Sequence, residues 1–597
     1  MDATRMTRNC NPRLRRSRHF CLVVSAEILA ARKASTCAWL AVSFVLVGLK
    51  LAAADPPAPV ILVSVDTLRA DHLGAYGYHG IRTPNLDSFA EHGTLFAQAG
   101  AQVPLTLPSH ASLFTSTYPI QNGIEENAEP VPPGAVTLAS VLQSHGYRTA
   151  AFVSSVFLEQ RMGLNQGFDT YDSPFDYTAL SPLSGSMFLG TQRNAPGAGR
   201  DRRVGALTVR AAVQWLNANR NQPVFVFLHL YDLHRPYQIP AGFKPSPGVT
   251  GYDALIEYVD RVLGSFRKTL VETGWWDRSL VVLLSDHGEG LGEHGEATHG
   301  YFVYESTLRT PLIIHWPRST TRPARFEQPV GLIDVAPTIL DFLQVPVPPS
   351  FEGRSLLDAK SDRPVYAESL HSHDSFGWAP LRSVRSGAYK FIEAPRPELY
   401  DLQNDPKELH NLFAAHPGRA RELRVQLSKL LTKSQSSRSS QSTSVTPQTR
   451  ALLASLGYLG PGPVANLGNT GPDPKDRLPE FQMYEKAMVL LSDGRIAQAV
   501  ATLGRILAID PHNTLVRRDL GACYLEIHDY AKAREALEQV VSVAPEDYMT
   551  QYELGVTYAR LDLAAQAREH LRAACRLAPD AAQSRHELEA VEKSLSR

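Results

Sequence analysis

Three apolar runs that stop abruptly at acidic and imidazole side chains constrain this chain more than any other feature. Val60 to Val65 ends at Asp66, Val224 to Leu230 runs into Tyr231-Asp232-Leu233-His234, and Leu280 to Leu284 ends in Ser285-Asp286-His287-Gly288. Runs of this length and β-branched content read as strands buried on both faces. Stretches with helical spacing fall between and after them, over 83–90, 137–145, 204–217 and 334–342. Short strand-like runs at 151–153, 311–314 and 365–367 continue the alternation, which predicts an α/β domain with a mostly parallel sheet flanked by helices. Such sheets bind ligands beyond the carboxyl ends of their strands, so the three chemistry-bearing ends are expected to converge on one crevice.

The residues at those ends suit a cation. The five cysteines are Cys10, Cys21, Cys37, Cys523 and Cys575, which leaves none from 38 to 522. A metal there is held by oxygen and nitrogen, and the set Asp66, Asp286 and His287 fits zinc or manganese better than calcium. The glycines from Gly288 to Gly300 let the backbone turn closely around a small charged group, with His294 and Glu296 read as solvated loop residues. A fourth segment, Leu105-Thr106-Leu107-Pro108-Ser109-His110, puts Pro108 in the first turn of a helix. Thr106 then lies at the positive end of that helix, beside unpaired backbone N–H groups. A threonine there is a good cap, and its alcohol alone is inert at neutral pH; next to a cation that lowers the pKa of a bound oxygen, it becomes a candidate nucleophile.

A chain of 597 residues exceeds one ordinary domain, and sixty basic against sixty acidic residues exclude a nucleic-acid binder driven by bulk charge. Residues 1–54 hold a basic stretch to Arg32-Lys33, an apolar core and an Ala-rich end at Ala54, the pattern of an export signal. The expected location is therefore periplasmic or secreted; anchoring by residues 38–51 is the alternative, although that run falls short of the ~20 residues of a comfortable span. Residues 55–432 form the expected catalytic domain, with a Ser/Gly-rich loop over 180–200, and 433–475 read as a Ser-rich linker. In 476–597, Pro511, Pro545 and Pro579 recur every 34 residues, and Ala499, Ala533 and Ala567 keep the same register. This predicts three helix pairs and a capping helix after Ala581, an all-α array that resembles the tetratricopeptide repeat, with Cys523 and Cys575 as small buried fillers. Such repeats present a concave groove to a protein or peptide partner.

Five segments occur in a telling order: Val65-Asp66-Thr67-Leu68-Arg69-Ala70-Asp71, Thr83-Pro84-Asn85-Leu86-Asp87, Thr106-Leu107-Pro108-Ser109-His110, Ser285-Asp286-His287-Gly288 and Leu399-Tyr400-Asp401-Leu402-Gln403-Asn404-Asp405-Pro406. Through them the chain from Pro59 to Phe413 resembles the sulfatase family of the alkaline phosphatase superfamily, and the resemblance implies a metal-dependent ester hydrolase. Sulfate-ester hydrolases of that family oxidise a Cys or Ser at the position of Thr106 to formylglycine. Threonine would give a ketone, so no formylglycine is expected; His110 also replaces the family's arginine, and Thr67 stands where a second acidic ligand is usual. Threonine-dependent phosphodiesterases and transferases of the superfamily carry a histidine twelve residues after the Asp-His pair, and His299 holds that spacing from His287. The resemblance therefore implies one ion on Asp66, Thr106, Asp286 and His287, and a second ion or the phosphoryl oxygens on His234, His299 and, more weakly, Asp232. It makes Thr106, His234 and His299 catalytic and sets His110 and Arg69 against the substrate. The expected substrate is a small-molecule, lipid-linked or glycan-linked phosphate ester, or a related sulfate or phosphonate ester, with water as acceptor. The alternatives are a sulfatase acting without formylglycine and a repeat-based scaffold with a degenerate enzyme domain, against which the intact ligand set argues.

Overall fold

The computed structural model describes residues 57–91, 93–127, 129–175, 198–199, 202–318, 322–357, 363–437, 470–579 and 581–596. The expected export signal, most of the Ser/Gly-rich loop and most of the linker lie outside the described residues.

The apolar runs form strands at the centre of one sheet. Its members are β1 (Val60–Val65), β2 (Gly93–Phe96), β3 (Arg148–Phe152), β4 (Thr170–Asp172), β5 (Val224–Leu230), β6 (Leu280–Leu284), β7 (Leu312–His315) and β8 (Arg325–Phe326). They lie in the order β8-β2-β7-β6-β1-β5-β3-β4, and only β7 runs antiparallel to its neighbours. The three runs that end in Asp66, His234 and Asp286 are thus the adjacent parallel strands β1, β5 and β6, and their carboxyl ends share one edge.

Side chains alternate across a strand. Val60, Leu62, Phe225, Phe227, Leu280 and Val282 share one core cluster, and Ile61, Val63, Val224, Val226, Val281 and Leu283 the other. Helices α1 (Pro84–Glu91), α2 (Thr106–Thr115), α3 (Leu138–Ser144), α4 (Gly205–Ala218), α5 (Gly251–Glu272) and α6 (Val335–Phe342) divide between the faces. Leu107, Ala111, Leu138 and Ile339 put α2, α3 and α6 on the first; Leu86, Val209 and Leu255 put α1, α4 and α5 on the second. Burial on both sides explains why these strands are continuous apolar runs rather than alternating ones. A second sheet, antiparallel, comprises β9 (Val365–Ser369), β10 (Leu381–Ser386), β11 (Tyr389–Glu393) and β12 (Glu398–Asp401).

After α7 (His371–Phe376), α8 (Pro417–Ser437) covers the second sheet through Leu423 and Leu427. It runs past Lys433, so the first five residues read as linker are helical instead. The repeat region follows as α9 (Leu478–Ser492), α10 (Ile496–Ile509), α11 (Thr514–Glu526), α12 (Tyr530–Val543), α13 (Tyr548–Arg560), α14 (Ala564–Leu577) and the capping helix α15 (Ala582–Leu595). Gly555 marks a close helix crossing, since a Cβ there would stand 2.7 Å from Leu571 Cγ. Cys523 is buried and Cys575 half-buried. The repeats are packed against the catalytic domain: Phe481 meets Tyr301 with ring centroids 4.0 Å apart, and Tyr484 meets Phe376 at 5.4 Å. Among the described residues no helix is long and apolar enough to cross a membrane.

Candidate active site

The first strand end is strained where it meets the third. Thr67, a β-branched residue, adopts φ +58, and its N–H reaches Asp286 Oδ1 at 3.2 Å. The His287 N–H donates to the same oxygen at 2.9 Å, and Ser285 Oγ receives the Leu68 N–H at 2.8 Å. Asp286 is thereby held by backbone donors on one oxygen, while its Oδ2 has no hydrogen-bond partner. On the neighbouring strand, Asp66 Oδ2 accepts from Thr106 Oγ1 at 3.2 Å and from His229 Nε2 at 3.3 Å, and its Oδ1 is unpartnered. His287 donates Nδ1–H to the Gly288 carbonyl at 2.9 Å, which leaves Nε2, also unpartnered, 3.6 Å from Asp286 Oδ2.

Asp66, Asp286 and His287 are fully buried, and each offers a ligand atom within 4.8 Å of the others. Burial pushes the Asp66 carboxyl up to about 6, against the pull of His287 and the Thr106 hydroxyl; burial and the facing Asp66 charge raise Asp286 as well. Two buried carboxylates and an imidazole with orphaned atoms turned together are what a divalent ion requires, so the residues present fit one. Thr106, the first residue of α2, brings its hydroxyl to the same place at the helix's positive end.

A second histidine pair adjoins this centre. His299 donates Nδ1–H to Glu289 Oε1 at 3.0 Å, and its ring lies 4.4 Å from that of His287. His234 donates Nδ1–H to the Arg235 carbonyl at 2.9 Å, stacks on Tyr231 at 4.4 Å and stands 5.1 Å from His299. Both therefore keep Nε2 for a ligand. Burial, reinforced by the neighbouring His299, holds His234 well below the usual imidazole range.

Three expected site residues have their polar atoms engaged by other protein groups, although His110 Nδ1 stands 3.6 Å from Asp286 Oδ2. Asp232 serves α4 instead, where its two oxygens accept from the Gly205 N–H at 3.0 and 3.1 Å. Arg69 is consumed by its own loop and by the one after β6: it forks onto Asp71, donates to the Glu289 carbonyl at 3.0 Å and pairs with Glu293 at 3.0 Å. His110 is buried one turn below Thr106, where Nδ1–H donates to the Thr106 carbonyl at 2.7 Å and Nε2 accepts from Ser64 Oγ at 2.9 Å. No nitrogen remains for a substrate. Glu296 is buried rather than solvated and accepts from the Tyr301 N–H at 2.8 Å. Conversely, His229 and Glu289 belong to the site although no motif marked them. His229 could have been found from parity, since it shares the strand face of Phe225 and Phe227 and lies opposite Ser64 in register.

A mostly parallel sheet with carboxylates, imidazoles and a hydroxyl at its strand ends fits a metal-dependent ester hydrolase. The sulfatase family model matches residues 59–345, the model for the C-terminal part of N-sulphoglucosamine sulphohydrolase matches 292–437, and tetratricopeptide repeat models match 490–549 and 524–582. Residues 59–437 thus carry sulfatase-family domains, with a tetratricopeptide array behind them. The uncharacterized sulfatase YidJ of Escherichia coli (strain K12) is 25% identical over 421 residues, spanning 59% of this chain and 82% of its own. An arylsulfatase of Clostridium perfringens is 24% identical over 438 residues, spanning 59% and 90%. Among solved structures, the phosphonate monoester hydrolase of Agrobacterium radiobacter superposes with a TM-score of 0.53 at 21% identity, over 63% of this chain and 96% of that one. The BT4656 complex with D-glucosamine-2-N,6-O-disulfate does so with 0.54 at 20% identity, over 64% and 98%.

Proposed function

We propose that this enzyme cleaves phosphate esters, or related phosphonate or sulfate esters, with Thr106 as nucleophile on a zinc or manganese ion held by Asp66, Asp286 and His287. The observation that carries the proposal is the hydrogen bond of Thr106 Oγ1 to Asp66 Oδ2 at 3.2 Å, on a carboxylate whose other oxygen is orphaned and which shares a candidate metal group with Asp286 and His287. Threonine favours the phosphohydrolase reading over the sulfatase one, because its secondary alcohol oxidises to a ketone and not to the aldehyde of formylglycine. When bound, the ion supplies Lewis acidity that makes the hydroxyl a nucleophile at neutral pH. Asp66 Oδ2 orients the Thr106 hydroxyl. Oγ1 attacks phosphorus in line as its proton leaves along the hydrogen bond to Asp66 Oδ2; the Oγ–P bond forms as the bond to the ester oxygen breaks, and the departing oxygen meets His234 and His299, whose bare Nε2 atoms would hold a second ion that takes up its charge. Water then cleaves the phosphothreonine and releases phosphate. The proposal extends to export, on the strength of residues 1–54, and to a protein or peptide partner for the repeats.

Nitrophenyl phosphate, its diester and nitrophenyl sulfate, compared for the wild type and Thr106→Ala with and without metal, test this reading. The expected result is metal-dependent phosphate-ester cleavage that falls at least ~10³-fold in Thr106→Ala. Sulfate cleavage as the main activity overturns it in favour of a sulfatase that needs no formylglycine.

A further inference from the structure

The segments that carry His234 and His299 meet a side chain from outside the catalytic domain. Glu485, on the first repeat helix α9, accepts from Thr298 Oγ1 at 3.2 Å, and the same oxygen lies 3.9 Å from Arg235 Nη1. Thr298 immediately precedes His299, and Arg235 immediately follows His234. Apart from this carboxylate, each imidazole is held at Nδ1 from within its own region, by Glu289 and by the Arg235 carbonyl. One repeat side chain therefore bridges the two strands of backbone on which the pair depends.

The helix that brings Glu485 there is fixed on several sides. Phe481 packs on Tyr301 and Tyr484 on Phe376, while Gln482 Nε2 donates to the Gly295 carbonyl at 3.4 Å. Leu478 fills the space where a Cβ on Gly295 would stand, and Gly295 itself adopts φ +80. The Glu485 side chain is only 16% exposed, against 38% for Arg235, so the bridge is shielded on its acidic side and less weakened by solvent than a surface pair.

We propose that Glu485 is a positioning residue for the His234–His299 pair, which makes the first repeat helix a working part of the active site rather than an appended binding module. The proposal rests on the reading of those two histidines as the groups that meet the departing oxygen. Small displacements of such groups are costly to turnover, and holding two loops with one carboxylate prevents them.

The test uses the full-length, metal-loaded protein with Glu485→Ala and Glu485→Gln. It reads kcat and KM on nitrophenyl phosphate, the thermal midpoint, and hydrogen exchange over 232–238 and 294–301. Glu485→Ala is expected to lower kcat by about 10-fold or more with KM and midpoint unchanged, and to speed exchange in both segments. Glu485→Gln keeps an acceptor for Thr298 and is expected to recover part of kcat. Unchanged kcat, or unchanged exchange, in Glu485→Ala overturns the proposal. A wild type that cleaves none of the esters sinks the hydrolase reading instead, and exchange alone then decides: faster exchange in both segments supports the bridge and unchanged exchange removes it.

Discussion

Glu289 does for His299 what the Gly288 carbonyl does for His287: it accepts the Nδ1–H hydrogen bond and leaves Nε2 for a ligand. Replacing it with Gln weakens that grip without changing the size of the side chain, and Glu289→Gln is expected to lower kcat about 10- to 100-fold with metal content intact, read by steady-state kinetics beside metal analysis. His229 holds Asp66 as a donor, through Nε2–H to Oδ2, and His229→Ala is expected to weaken metal binding about 10- to 100-fold in a chelator competition. Asp66, Asp286 and His287 were legible because an apolar run stops at each. His229 was not, because it sits inside such a run and only strand parity separates it from a buried aromatic; counted on, the same parity sets Asp232 apart from His229 and Tyr231. Arg69 and His110 misled for a different reason. Their partners, Glu289, Glu293 and Ser64, are brought to them by the sheet, and no local spacing announces that a side chain is already saturated.

The helices and strands themselves follow their periodicities, since burial on both sheet faces writes continuous apolar runs and the repeat writes its own spacing. What periodicity cannot set is where a polar helix stops: α8 continues to Ser437 through a stretch of serines, with Lys433 tied to Glu352. In the repeats, Gly521 and Gly555 each carry an ideal Cβ position 2.7 Å from a leucine of the paired helix, Leu537 and Leu571. Gly555→Leu is therefore expected to separate α13 from α14 and cost about 1–3 kcal/mol of stability, seen as a lower midpoint in urea at unchanged slope.

Across the whole molecule, the metal centre is also a folding constraint. Asp66 and Asp286 face each other without solvent, and a bound cation relieves that repulsion without protonating either. Chelation is expected to lower the thermal midpoint, with recovery on adding zinc or manganese; at 100-fold excess over Kd the ion is worth about 2.7 kcal/mol. A protein whose catalytic domain were degenerate would melt at the same temperature with and without chelator. The docking of α9 over the loop of Gly295 and Tyr301 adds a consequence in time. Ribosomes deliver ~5–20 residues per second, so on the order of a minute separates synthesis of Asp66 from that of Glu485. Throughout that interval the nascent enzyme lacks one wall of its own crevice, and a message broken before the repeats yields a chain that is uncovered where it should be closed.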